Sequence, residues 1–452
     1  MIEDLLAVHL IDERTPDRFG FHDLIREFAQ ETSLRIDPEH ARSGAFRRLV
    51  SVAIATVDRA DRLINPHQFR LPVPAELLAP AARDFPHLPD WLGPDEARTW
   101  LATEMPALLA VEHTLRANGR PAPAAWLAHL LTPHLEAAGL WHEALRVHRE
   151  AARHWRSAAH PQNEVHALIG LSMIQLRVSQ YAEATAGAEQ ALALARTAGD
   201  RTAQAEALGR LGEVHWERGE FARAMELQHE VLQLRRSTED RWGLARALNN
   251  TGLLAARTGD HKTSRKSFSE ALSIFEELDD LKGQLNTLNN IGGLLLEIGD
   301  KESARRTFTR LSRHEAVAQD SMAMAIVRLN LAQTVHLPAE SVEATALLDS
   351  AIQTFRRTGS PKHEIDATNV LGGVQLAAGR PGSAAELFRR SLTLSRQIGA
   401  VDEAATALAG LGQAERLLYA PPAPRAHREE TAARPMAEFH RTGTNPAKPG
   451  PE

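Results

Sequence analysis

Between Asp200 and Thr238 apolar residues return at helical spacing. Ala205, Leu208, Leu211 and Val214 come first, then, after a turn, Ala224, Leu227, Val231 and Leu234. Steps of three and four predict two amphipathic helices. Asp200 stands at the N-cap of the first, where a carboxylate accepts from free backbone N–H groups. Gly219 closes it. The turn Gly219-Glu220-Phe221-Ala222-Arg223-Ala224 recurs as Gly139-Leu140-Trp141-His142-Glu143-Ala144 and as Gly299-Asp300-Lys301-Glu302-Ser303-Ala304. Small residues then mark a forty-residue step: Ala144, Ala184, Ala224, Ser264, Ala304, Ala344, Ala384. A second ladder is Ser172, Gly212, Gly252, Gly292, Ala332, Gly372, Gly412, and a third is Asp200, Asp240, Asp280, Asp320, Ser360. Three ladders of one period predict stacked helix pairs starting near 121, 161, 201, 241, 281, 321 and 361. A half unit over 401–419 reads as a capping helix. Pro161 and Pro361 fall just after the cap position, where a missing N–H costs nothing.

Gly in a helix costs about 1 kcal/mol relative to Ala, so a Gly ladder needs a reason. The expected one is a close approach of two helix axes, with Gly212 facing Ala224; a larger side chain would overpack it by roughly 1–3 kcal/mol.

Paired helices, small-residue ladders and a Gly-x-aromatic-x-x-Ala turn resemble the tetratricopeptide repeat over residues 121–419. The usual unit is shorter. The forty-residue form is similar to the extended repeats of large bacterial signalling ATPases and of kinesin light chains. Ser179 and Ala339 replace the turn Gly, and His261, Lys301, Val342 and Ser383 leave parts of the pattern unmet. The resemblance implies an all-α fold, a right-handed superhelical solenoid that holds another chain and carries no chemistry.

Residues 1–120 leave the ladders. Ile2 to Leu10 is amphipathic, and a turn at Pro16-Asp17 suggests a β-hairpin ending in Phe19-Gly20-Phe21. A helix follows from His22 and Asp23, then a long helix over 38–66, a Pro-rich connection through Pro72, Pro74, Pro80, Pro86 and Pro89, and a helix from Glu96 with Trp100 and Leu101. Phe21-His22-Asp23 resembles the hydrophobic-His-Asp motif that opens the last helix of the winged-helix module in NB-ARC signalling ATPases. There the His faces the phosphates of bound ADP. The order of parts is similar to antibiotic-regulatory (SARP-type) multidomain regulators. The resemblance divides the chain into a winged-helix remnant (1–35), a helical linker (36–120), the repeats (121–419) and a Pro-, Ala- and Arg-rich disordered tail (420–452).

Composition narrows the function. Hydrophobic residues make up 43% and charged residues 24% of 452, and the net charge is −6, against the basic excess of a nucleic-acid-binding surface. There is no cysteine, so disulfides and thiolate metal sites are excluded. No apolar run is long enough to span a membrane, and the acidic start is no secretory signal; a cytoplasmic protein is expected. No Gly-x-x-x-x-Gly-Lys-Ser/Thr occurs, so no phosphate-cradling loop is expected. Neither cofactor nor metal is expected, and the chain is read as no enzyme. His129 and His134, like His142 and His148, are spaced wrongly for two ligands on one helical face; solvated or packed His is the better reading.

The expected role is a protein- or peptide-binding scaffold, the sensory module of a bacterial signalling or transcriptional regulator. A regulator acting directly on DNA, or a free-standing repeat adaptor, is the alternative. An ATPase or DNA-binding region in cis or in trans, and self-association, stay open. On the resemblance, the residue three before each ladder Gly faces the groove. Asn249, Asn289 and Asn369 hold that position, with Arg246, Asn286 and Asp366 three earlier. An amide there can donate to and accept from a peptide backbone, or it can join neighbouring helices. Asn250, Asn290 and Asn330 lean to the second role. Trp216 falls on the groove side, as a ligand anchor or as core packing. His22 and Asp23 would sense nucleotide only beside an ATPase domain; alone, Asp23 reads as a helix cap.

Overall fold

A computed structural model describes residues 2–15, 18–67, 70–85, 88–91, 93–335, 340–398 and 400–419. The tail, the Pro16-Asp17 turn, Pro86 and Ala339 lie outside the described residues. The chain forms two compact units, Met1–Gly243 and Leu244–Glu452.

The repeat helices start where the ladders place them. In the first unit the pairs are Pro121–Ala137 with Trp141–Ser157, Pro161–Arg177 with Tyr181–Ala198, and Arg201–Glu217 with Phe221–Arg236. Arg241–Arg257 crosses the unit boundary. The second unit continues with His261–Glu277, Leu281–Glu297 and Lys301–Ser312, the short Glu315–Gln319, then Ser321–Gln333 with Ser341–Arg357, Pro361–Ala377 with Pro381–Ile398, and Val401–Tyr419.

The Asp ladder caps as expected. Asp200 accepts from Ala203 N, Asp240 from Gly243 N, Asp280 from Gly283 N, and Asp320 from Met322 N and Ala323 N. Gly219 and Gly299 take φ of 73° and 83° at the turns, and Ser179 takes 60° in the same role, a left-handed conformation that disfavours side chains.

The Gly ladder has a different cause from the one expected. A Cβ on Gly212 would meet Ala224 O at 3.8 Å and Leu227 Cβ at 3.9 Å, ordinary contact. On Gly252, Gly292 and Gly372 it would come within 2.5, 2.5 and 2.7 Å of the rings of Phe268, Phe308 and Phe388. The Gly seats an aromatic ring from the second helix of the same pair, always sixteen residues on. Where Ala332 replaces the Gly, Leu348 replaces the Phe, and both are buried in one cluster. At Gly212 the partner position is Gln228. A co-varying pair at a fixed offset was the sequence signal for this.

The fifth pair breaks its second helix. One core position is filled by Trp155, Arg235, Phe275 and Phe355 in other pairs, all buried. Forty residues after Phe275 stands Glu315, which is exposed. Carrying a charged carboxylate into an apolar core is costly. The chain stops at Ser312, restarts at Glu315, and buries Val317 beside Phe308 and Leu311 instead.

In the N-terminal part, Ile11–Thr15 pairs antiparallel with Arg18–Phe21, Ile11 opposite Phe21. The long helix is Glu39–Ile64, and Pro94–Ala117 follows later. The Pro-rich connection contains a helix that its composition hid, Ala75–Asp84, with Pro80 inside it. Proline removes a donor and disturbs the preceding turn. Ser51 Oγ accepts from the adjacent Ala81 N–H at 2.8 Å. Asp61 on the long helix is buried. Burial works to raise its pKa, but hydrogen bonds with His134, Asn65 and Arg70, and the Arg70 charge, leave it below the usual carboxylate range.

Candidate peptide-binding face

The site is built from the first helix of each pair, and the Asn residues define it in the second unit. Asn290 Nδ2 donates to Asn249 Oδ1 at 3.0 Å, and Asn330 Nδ2 donates to Asn289 Oδ1 at 2.9 Å. Of the two roles weighed from sequence, the joining of neighbouring helices is the one these bonds make. The second Asn of one repeat fixes the amide of the first Asn in the repeat before it. Asn249 and Asn289 are thereby oriented, with their carbonyl oxygens used. Each keeps an Nδ2 with no hydrogen-bond partner among the described residues. Both side chains are half-buried. Each amide therefore keeps its donors unspent, while its oxygen already accepts one hydrogen bond.

Asn369 does not continue the series. It is 8% exposed and donates Nδ2 to the backbone oxygen of Glu403 at 3.2 Å, so it faces the capping helix instead of open solvent. At this level the preceding repeat carries Leu329, not Asn, and the staircase has ended. Arg246 is half-buried and already engaged. Asn286 is exposed. Asp366 is half-buried, and burial, with the Glu403 charge added, pushes its carboxyl up to about 6.

The remaining candidates lie in the first unit. Trp216 is half-buried, with its ring edge-on to Phe221 at 5.5 Å between centroids, an intra-pair packing contact. Trp126 and Trp155 pack the same way at 6.2 Å and are buried. His22 Nε2 pairs with Asp12 Oδ2 at 2.9 Å, joining the hairpin to the helix Asp23–Ile36. The capping reading of Asp23 needs correction. His22 holds the N-cap position without a side-chain hydrogen bond, and Asp23 is the first helical residue, 3.3 Å from Arg26. Its charge favours the helix N-terminus through the macrodipole.

Several histidines are packed. His148 is 2% exposed and lies 3.0 Å from Thr132 Oγ1. His129 and His166 stand 6.1 Å apart beside it. Burial drives the pKa of His129 down to about 3 and that of His148 to about 4, so both are neutral packing groups at ordinary pH. Among the described residues no group of three or more His, Asp or Glu side chains is arranged to hold a metal ion. No described helix is long and apolar enough to cross a membrane.

Residues 204–239 and 243–313 match the tetratricopeptide-repeat family. The fold is that of tetratricopeptide repeats. The chain is 28% identical over 215 residues to the regulatory protein AfsR of Streptomyces griseus, a match that uses 47% of this chain and spans only 21% of that protein. In structure it is similar to the apo form of the quorum sensor NprR from B. thuringiensis, with 14% identity and a TM-score of 0.54 over 75% of this chain and 97% of that one. It is also similar to the apo form of RapI, with 14% identity and a TM-score of 0.50 over 61% of this chain and 99% of the other. At such identity the likeness to the two solved structures concerns the fold alone.

Proposed function

We propose that this chain is a protein- or peptide-binding regulatory module, the sensory part of a bacterial transcriptional regulator, and has no catalytic role. The observation that carries the binding reading is the Asn staircase: two amides held by their neighbours with donors left over. A helix stack needs no such donors for its own packing. Similarity to a regulatory protein supports the regulatory part. The ligand would lie along the first helices of the second unit, with its backbone carbonyls on Asn249 and Asn289. Its binding would shift the equilibrium between arrangements of the repeats, and so the contact with an effector region in cis or in trans. Residues 1–35 we read as the end of a winged-helix module and 36–120 as its linker; a hairpin followed at once by a helix supports this.

The test uses a fluorescein-labelled pool of random octapeptides and anisotropy. Asn249→Ala with Asn289→Ala removes two donated hydrogen bonds, each worth about 1 kcal/mol, so affinity should drop roughly tenfold or more. Helix content by circular dichroism should stay unchanged. Equal affinity for the variant, or no pool binding by the parent chain, would refute the groove assignment.

A further inference from the structure

The second unit ends in a group of acceptors with few donors. Asp366 and Asn369 lie three residues apart on Pro361–Ala377, so they share one face of that helix. The capping helix Val401–Tyr419 brings Glu403 against them, held by the hydrogen bond from Asn369 Nδ2 to the Glu403 backbone oxygen. Asn369 is 8% exposed, yet its Oδ1 is buried without a partner. Asp366 makes no hydrogen bond or ion pair among the described residues. Lys362 is the cation whose charge acts on Asp366. Its Nζ lies 3.4 Å from Glu403 Oε1, and its side chain is 70% exposed. The two carboxylates therefore share one loosely held positive charge, and the Asn369 oxygen has no donor.

Buried acceptors are normally satisfied, because leaving one bare forfeits its hydration for nothing. Packing does not explain the choice of residues here. An Asn at 369 needs only its donor to reach Glu403, and an Asp at 366 beside Glu403 adds repulsion. Both fit a ligand that brings several N–H donors and positive charge. A guanidinium, with its planar fork of donors, meets that description, and an ammonium meets it with fewer.

We propose that Asp366, Asn369 and Glu403 form a subsite for a cationic side chain or amino terminus of the bound peptide. The proposal rests on the peptide-binding reading and names the chemistry at one end of the ligand. The staircase at Asn249 and Asn289 would hold backbone, and this cluster would select for an arginine, a lysine or a free amine.

The probes are N-acetyl-arginine methylamide, N-acetyl-lysine methylamide and the neutral isostere N-acetyl-citrulline methylamide, tested on the full chain at equal ionic strength. The readout is the saturable rise of the unfolding temperature, which reports binding to the native state. The arginine probe should give a rise several-fold larger than the citrulline probe, with lysine between them. Asp366→Asn, which keeps the shape and removes the charge, should abolish the difference; Glu403→Gln should reduce it. Equal responses to arginine and citrulline, or an arginine response that survives Asp366→Asn with native helix content, overturns the subsite. Those outcomes do not depend on the octapeptide measurement, so failure here is distinct from failure of the groove.

Discussion

Two chemically identical substitutions at equivalent positions should have opposite signs. Gly212→Ala adds a methyl at ordinary contact distance from Ala224 and Leu227. Only helix propensity then changes, and the variant should be stabilised by about 0.5–1 kcal/mol. Gly292→Ala gains the same propensity but places the methyl 2.5 Å from Cε1 and Cζ of Phe308. Carbon contacts are comfortable at about 3.5–4 Å, so the ring must retreat by about 1 Å. Phe308 is fully buried among Ala304, Leu311, Val317 and Val327 and has nowhere to go. Overpacking costs roughly 1–3 kcal/mol, which leaves a net loss of about 0–2 kcal/mol after the propensity gain. The compensating change is already present in the chain as Ala332 with Leu348. Adding Phe308→Leu to Gly292→Ala should therefore give a favourable coupling of about 1 kcal/mol or more in a double-mutant cycle. Urea unfolding followed by circular dichroism, with amide exchange to read each unit separately, measures all four species. Repeat arrays can unfold in parts, which is why the local readout is needed. A coupling within about 0.3 kcal/mol of zero, or equal destabilisation by Gly212→Ala and Gly292→Ala, would refute the ring-seat explanation.

Asp366 predicts a pH dependence. Its folded pKa of about 6 lies above the ordinary 3.8 of an aspartate, so between these values the native state holds a proton that the unfolded chain has lost. Stability from this group is then present below about pH 4 and is lost as pH rises toward 6. At 1.36 kcal/mol per unit the loss is about 2–3 kcal/mol. Asp366→Asn should gain up to that amount over the parent at pH 7.5 and little at pH 4, as read by paired urea midpoints; a pH-independent difference would contradict the burial argument. Arg235 is 2% exposed between Glu206 and Asp240. Arg235→Ala should cost about 3–5 kcal/mol in the first unit by denaturant unfolding, because it takes the buried guanidinium away from two partly buried carboxylates. Asp200→Ala should cost about 1 kcal/mol and speed amide exchange at Ala203, whose N–H it caps.

Period and capping belonged to the sequence alone. The forty-residue step, the Asp caps and the positive-φ turns are local requirements, and each leaves a fixed residue type at a fixed interval. Helix starts at 201, 241, 281 and 361 were legible for that reason. What depended on partners in space was not. The Gly ladder was visible, but its cause was a ring sixteen residues away. The helix Ala75–Asp84 was hidden because Pro80 reads as a breaker, and Ser51, from another helix, accepts from Ala81 N–H. The break at Arg313 and His314 follows from one polar residue at a position that only stacking makes internal. The Asn pairs carried a faint signal, since Asn-Asn recurs at 249–250 and 289–290. Which amide donates to which, and which N–H is left without a partner, is set by the offset between adjacent helices. The acceptor cluster at Asp366 arises the same way, because Glu403 reaches it from the next helix. A local pattern determines what a segment becomes; the charge and hydrogen-bonding of a site are sums over segments that only packing brings together.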